Sequence, residues 1–140
     1  MQSNVKQGSI RILAGEDLTD KQDYLVYLTH DTNVPEVKLP SNINAIPLYV
    51  VEDDNTDGEY VDVQPIEAGK QIRVALKGTC VPGDILVNAD PATAADRGKV
   101  RILPTDAGTY RGIGVAEEAG VDGQSVLTRP AMLGLIVVTA

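Results

Sequence analysis

The chain of 140 residues has room for one compact domain or two very small ones sharing a core, and its 43% hydrophobic content can supply that core. It has no Phe and no Trp, and its only aromatics are five Tyr, so the interior is expected to be Val, Ile, Leu and Ala packed between β-layers. Twenty acidic against twelve basic residues give a net charge of −8, which excludes nucleic acid as a partner, because affinity there comes from neutralising phosphates.

In chain order, Met1–Gln7 is polar and is expected to be unordered in isolation, while Ser9–Leu13 reads as an edge strand. Residues 1–20 are therefore read as an N-terminal arm that orders on binding. Strands are predicted at Tyr24–Leu28, Glu36–Leu39, Ile46–Glu52, Glu59–Pro65 and Gln71–Leu76, then at Ile85–Val87, Lys99–Leu103, Tyr110–Ala116, Ser125–Arg129 and Leu133–Thr139. They are short, rich in Val, Ile and Leu, and separated by Gly, Pro, Asn or Asp. Val81-Pro82-Gly83-Asp84 is a turn. Asp90–Gly98 suits a turn or two of helix, with Asp90 as cap, Pro91 at the first position and Gly98 as the stop. The N-terminus lacks the apolar core of a secretory signal, and the uncharged tract Ala131–Ala140 is too short to cross a membrane. Folding in a cytoplasm is expected, with no membrane partner.

An internal repeat organises these strands. Asp23-Tyr24-Leu25-Val26 matches Asp84-Ile85-Leu86-Val87, and Val37-Lys38-Leu39-Pro40 matches Val100-Arg101-Ile102-Leu103-Pro104 with one insertion. Pro47–Glu52 matches Gly112–Glu117, Asp57–Pro65 matches Asp122–Pro130, and Gly69 falls opposite Gly134. The offset drifts only from 61 to 65 residues and the order is kept. The expectation is an all-β, sandwich- or barrel-like domain with little helix and an extended N-terminal arm. It is built from a first unit at residues 21–78 and a second at 79–140.

Candidate chemistry is sparse. Asp53-Asp54-Asn55-Thr56-Asp57-Gly58 opens like a calcium-binding loop, but the twelfth position, where a bidentate Glu belongs, is Gln64 in a predicted strand. The second unit keeps only Asp122-Gly123, so the shared role is a hairpin turn. His30 and Asp31 are adjacent on an extended segment and face opposite ways. Cys80, the single cysteine, reads as a small buried apolar residue, and one His with one Cys does not fill a zinc site. Gly108–Gly114 lacks the Lys and the following helix of a phosphate loop. Glu117 and Glu118 read as a solvated rim rather than a pair of acids facing across a cleft. Val81–Val87 has the turn of a biotinyl or lipoyl carrier, but Lys70, between Gly69 and Gln71, is not that carrier's lysine. No catalytic residue, cofactor or metal site is expected.

The segments Gly83–Val87, Gly98-Lys99-Val100, Gly112–Ala119 and Asp122–Val126 resemble, in that order, the head-decoration or cement proteins of tailed bacteriophages. Ala14–Leu18 followed by Asp23–Val26 looks like the start of the same pattern, so the resemblance runs from about Ile10 onward. It implies a β-rich, commonly trimeric protein on the capsid exterior, where major capsid proteins meet. The arm residues Lys6, Ile10, Arg11, Ile12 and Leu13 are the candidates for capsid binding, by adding a strand to a neighbouring sheet edge. The alternatives are another β-rich phage or surface module (a tail or fibre component, a carbohydrate binder) and a small trimeric all-β enzyme. Sugar sites favour aromatic platforms, which five scattered Tyr supply poorly.

Overall fold

A computed structural model describes residues 8–30, 33–131 and 133–139. The strands are β1 (Ile10–Ala14), β2 (Leu25–Thr29), β3 (Glu36–Lys38), β4 (Tyr49–Asp53), β5 (Tyr60–Pro65), β6 (Ile72–Ala75), β7 (Ile85–Asn88), β8 (Val100–Ile102), β9 (Gly108–Ala116), β10 (Ser125–Pro130) and β11 (Leu135–Val138). The protein is all-β, and its helical content among the described residues is one 3-10 turn, Ala94–Asp96, inside the expected Asp90–Gly98 segment.

β1 to β5 close into a barrel in the order β1-β3-β2-β4-β5, with β5 returning to β1. All neighbours are antiparallel except β1 and β3, which run parallel through Leu13–Glu36 and Ala14–Val37. The second sheet follows the order β6-β10-β9-β7-β8. A parallel bridge between Leu76 and Val100 joins its two ends, so β6 meets β8 as β1 meets β3. Strand for strand, β1–β5 and β6–β10 therefore share one topology.

Hydrogen bonds repeat with the strands. Gly15 N donates to Val37 O at 2.9 Å, and Lys77 N to Val100 O at 2.8 Å. Ala14 N bonds Glu59 O and Leu76 N bonds Gln124 O, both at 2.8 Å. Leu18 N reaches Asn55 O at 3.0 Å where Cys80 N reaches Gly120 O at 3.1 Å. The hairpin glycines Gly58 and Gly123 have φ of 81° and 87°, the left-handed conformation such turns require.

Three expectations are corrected. First, Asp23 corresponds to Gly83 rather than Asp84: Asp23 N bonds Val51 O as Gly83 N bonds Ala116 O, and both residues have positive φ. Second, the barrel strands run from 10 to 65 and from 72 to 130, not within 21–78 and 79–140. β6 thus opens the second barrel instead of finishing the first, and β11 lies outside both. Third, residues 10–14 are no arm. They form β1, paired to β5 on one side and β3 on the other. The reason is periodicity: a tandem repeat can be framed from any strand, and only pairing fixes where a unit starts.

Burial follows alternation. In β5, Val61 and Val63 point inward with Ile12, Ala14, Val26, Val37 and Val51 as the first core. The second core gathers Ile72, Val74, Leu76, Cys80, Leu86, Val100, Ile113, Ala116 and Val126, together with Leu25 and Val50 from the first barrel. β2 thus offers Val26 to its own core and Leu25 to its neighbour's. Leu25 N donates to Gly98 O at 2.7 Å across the seam, and Ala75 N to Asp23 O at 2.9 Å.

Gly98 has φ of 86°, and a Cβ there would meet Leu25 O at 2.8 Å. Gly123 has the same sign of φ but open space around it. Urea unfolding should show Gly123→Ala costing about 1 kcal/mol and Gly98→Ala about 2 kcal/mol or more. Equal losses would mean that the seam tolerates movement at this contact.

Candidate binding surface

The residues weighed for chemistry are dispersed. His30 is exposed just after β2, and Cys80 is buried against Gly120, its thiol pushed up chiefly by desolvation. The Asp53–Gly58 loop joins β4 to β5 as a hairpin with Gln64 inside β5, and no group of metal-binding side chains assembles among the described residues. Gly108–Gly114 is not a loop but most of β9. A Cβ on Gly114 would run into the Arg129 carbonyl, so glycine there permits close strand approach.

Glu117 and Glu118 serve as braces. Arg73 Nη1 donates to Glu118 Oε1 at 2.8 Å, and Leu127 N to the same oxygen at 2.9 Å. Arg129 pairs with Glu117 at 3.2 Å. The Leu127 amide, then Arg73, hold the Glu118 carboxyl below the usual carboxylate range.

Of the five candidates for capsid binding, Lys6 lies outside the described residues. The other four share β1, where Ile12 is buried, Ile10 and Leu13 are half-buried, and Arg11 is exposed beside Asp62 at 3.2 Å. Of these four, Arg11 alone is exposed.

The structure also presents a surface that pattern reading missed, where the 42–47 loop of the first barrel meets the end of β9. Asn88 Nδ2 donates to Ala45 O at 3.1 Å and Arg111 Nη2 to Asn44 O at 3.2 Å, tying that loop to the second barrel. Between them runs a groove of about 370 Å³, walled by Ile46, Pro47 and Ile66 on one side and by Ala131, Leu133 and Gly134 on the other. Arg111, Gly112 and Ile113 line it as well. Arg111 Nε and Asn88 Oδ1 are buried without partners, an uncommon condition for buried polar atoms. β11 continues from the groove as a ribbon with β9, placing Leu135 opposite Arg111 and Val137 opposite Thr109. Leu135 is 46% exposed and Val137 69% exposed. The available signal was the charge-free tract 131–140, expected from the sequence as a strand at Leu133–Thr139 and as too short to cross a membrane, but not as a surface.

No protein-family model and no curated protein matches the chain. Among solved structures, its fold is similar to that of the head fiber gp8.5 N base in bacteriophage phi29, with a TM-score of 0.67 and 20% sequence identity. The match covers 88% of this chain and 92% of that chain, a share that takes in residues of both barrels. At this identity the likeness speaks for the fold.

Two outcomes are expected from these contacts. A depressed carboxylate pKa contributes stability above its unfolded value, and that contribution is lost as pH falls through the folded one. Glu118→Gln should therefore unfold more easily than the parent at neutral pH, with the difference closing in acid, as followed by urea titrations across pH. Calcium should bind the Asp53–Gly58 hairpin no more tightly than about millimolar in calorimetry.

Proposed function

We propose that this protein is a non-enzymatic structural component of a tailed-phage head. It is a decoration or cement protein, held as a homotrimer on the capsid exterior at junctions between major capsid proteins. The observation that carries the reading is the likeness, along nearly the whole of both chains, to a protein described as the base of a phage head fiber. The resemblance of Gly83–Val87, Gly112–Ala119 and Asp122–Val126 to cement proteins supports the same assignment. The side-chain chemistry is consistent with it: Glu117 and Glu118 at the surface and the buried Asp96 are engaged in ion pairs. In this reading the exposed Arg11 on β1 contributes to the shell contact from a fixed strand, not from a free arm.

The fiber-base description favours a second reading, in which the chain anchors a projecting fibre rather than securing the shell. Both readings put it on the virion, and one experiment separates them. Undecorated, expanded heads of the phage that encodes the chain are mixed with increasing protein, sedimented, and heated. Cement function predicts saturable binding and a higher temperature of head disruption, because a ligand of the assembled state stabilises it by mass action. Binding with unchanged heat resistance would favour the fibre base. No binding would overturn both.

A further inference from the structure

Closing a sheet into a barrel removes its edges; β1–β5 close in this way, and the two ends of the second sheet meet at the Leu76–Val100 bridge. Each of β1–β10 pairs on two sides, counting that bridge, except that residues 108–111 of β9 pair with β11 alone, and β11 itself pairs only with β9 among the described residues. Folded proteins blunt such an edge with lysine, proline, a bulge or a cover. Leu135-Ile136-Val137-Val138 carries no charge and no proline, and its register with β9 is unbroken. The exposed Leu135 and Val137 share a face with Thr109 and Arg111, their cross-strand partners.

Arg111 is the distinguishing group on that face. It joins no ion pair among the described residues, its Nη2 is spent on Asn44 O, and its Nε has no acceptor. By contrast Arg11, Arg73 and Arg129 each have a carboxylate, while Arg97 and Arg101, which join no ion pair among the described residues, are not cross-strand partners of β11. We propose that the β11 edge accepts an extended segment of a different protein chain by strand addition, with a carboxylate of that segment on Arg111 and an apolar side chain beside Leu135 or Val137. The proposal rests on the head-binding reading, in which the segment belongs to the shell.

The spacing allows it. An added strand lies about 10 Å from β9, two strand separations, and an arginine and a glutamate side chain together span that gap. Main-chain bonds along β11 supply affinity, and alternate side chains supply selectivity. A second copy is a poorer occupant. Two-fold pairing of β11 with itself would bury Leu135 and Val137 but bring no acidic side chain of the paired strand to Arg111, because residues 131–140 carry none.

The test uses the full chain and undecorated heads of its phage, with Val137→Glu and Arg111→Gln as variants and circular dichroism as the control for folding. Folded Val137→Glu and Arg111→Gln should each bind heads at least about tenfold more weakly than the parent, the loss expected for a charge-assisted hydrogen bond or a blocked edge. Hydrogen exchange should show amides of 135–138 newly protected in the parent on heads. Parent-like binding by both variants, with no new protection at 135–138, overturns the proposal while leaving the head-binding reading standing. Failure of the parent to bind overturns both. If light scattering of the free parent gives two or three times the chain mass, and Val137→Glu returns it to the single mass, the edge belongs to another copy of this chain and the proposal is wrong.

Discussion

The packing of Leu25 and Val50 into the second barrel is the contact on which the rest of the architecture depends. Both side chains leave the first barrel and enter the core formed by Ile72, Leu86, Val100 and Ile113. Burying one leucine stabilises by about 2 kcal/mol before any cavity is counted, a sizeable part of a small domain's net stability. The same strand, β2, sends Val26 into the first core. A strand with both faces buried cannot slip by one residue without exposing one core and crowding the other. The Leu25–Gly98 and Ala75–Asp23 hydrogen bonds then fix the barrels in register.

Once the seam is fixed, the groove is a consequence of it. The 42–47 loop lies over the end of β9 because Asn88 and Arg111 hold its carbonyls, and the apolar side chains Ile46 and Pro47 then face Leu133 across a gap. Neither barrel alone contains that surface. Its polar lining is minimal and its one cation is unpaired by any carboxylate among the described residues. Such a surface suits a protein segment better than a small polar ligand.

The two barrels have kept a backbone and changed their tips. Leu18 and Cys80 occupy equivalent hydrogen-bonded positions, so Thr19 and Val81 follow them at equivalent turns, as Thr56 and Val121 follow Asn55 and Gly120. The first barrel presents Asp17, Asp20, Asp54 and Asp57 around these turns, whereas in the second Val81 and Val121 are more than half exposed. Equivalent turns therefore differ in apolar exposure: Val81 and Val121 stand out beside Asp84 and Asp122 in the second barrel, where the first has Thr19 and Thr56 beside its acids. The backbone tolerates both because the turns are held by main-chain bonds and by flanking side chains, Asp17 accepting from Thr19 N, Asp84 from Val81 N and Gln124 from Val121 N, rather than by the residue at the tip.

By itself the sequence determined the all-β class, the strand positions to within a few residues, the duplication and the Asp-Gly hairpins. Those depend on local alternation, turn chemistry and identities between segments close to 63 residues apart. It also held a clue to the true frame: Ile10-Arg11-Ile12 and Ile72-Arg73-Val74, at an offset of 62, are the first strands of the two barrels. Without pairing, nothing distinguished a free arm from a barrel stave, because an isolated strand has the same alternation in either role. The one-residue shift that sets Asp23 against Gly83 was hidden for a related reason, since their likeness is a positive φ rather than a shared side chain. Tertiary structure alone decided that Leu25 crosses the seam, that Arg111 lacks a carboxylate among the described residues, and that β11 keeps an open edge. Each is a statement about which segments distant in sequence meet in space, and periodicity along the chain carries no information about that.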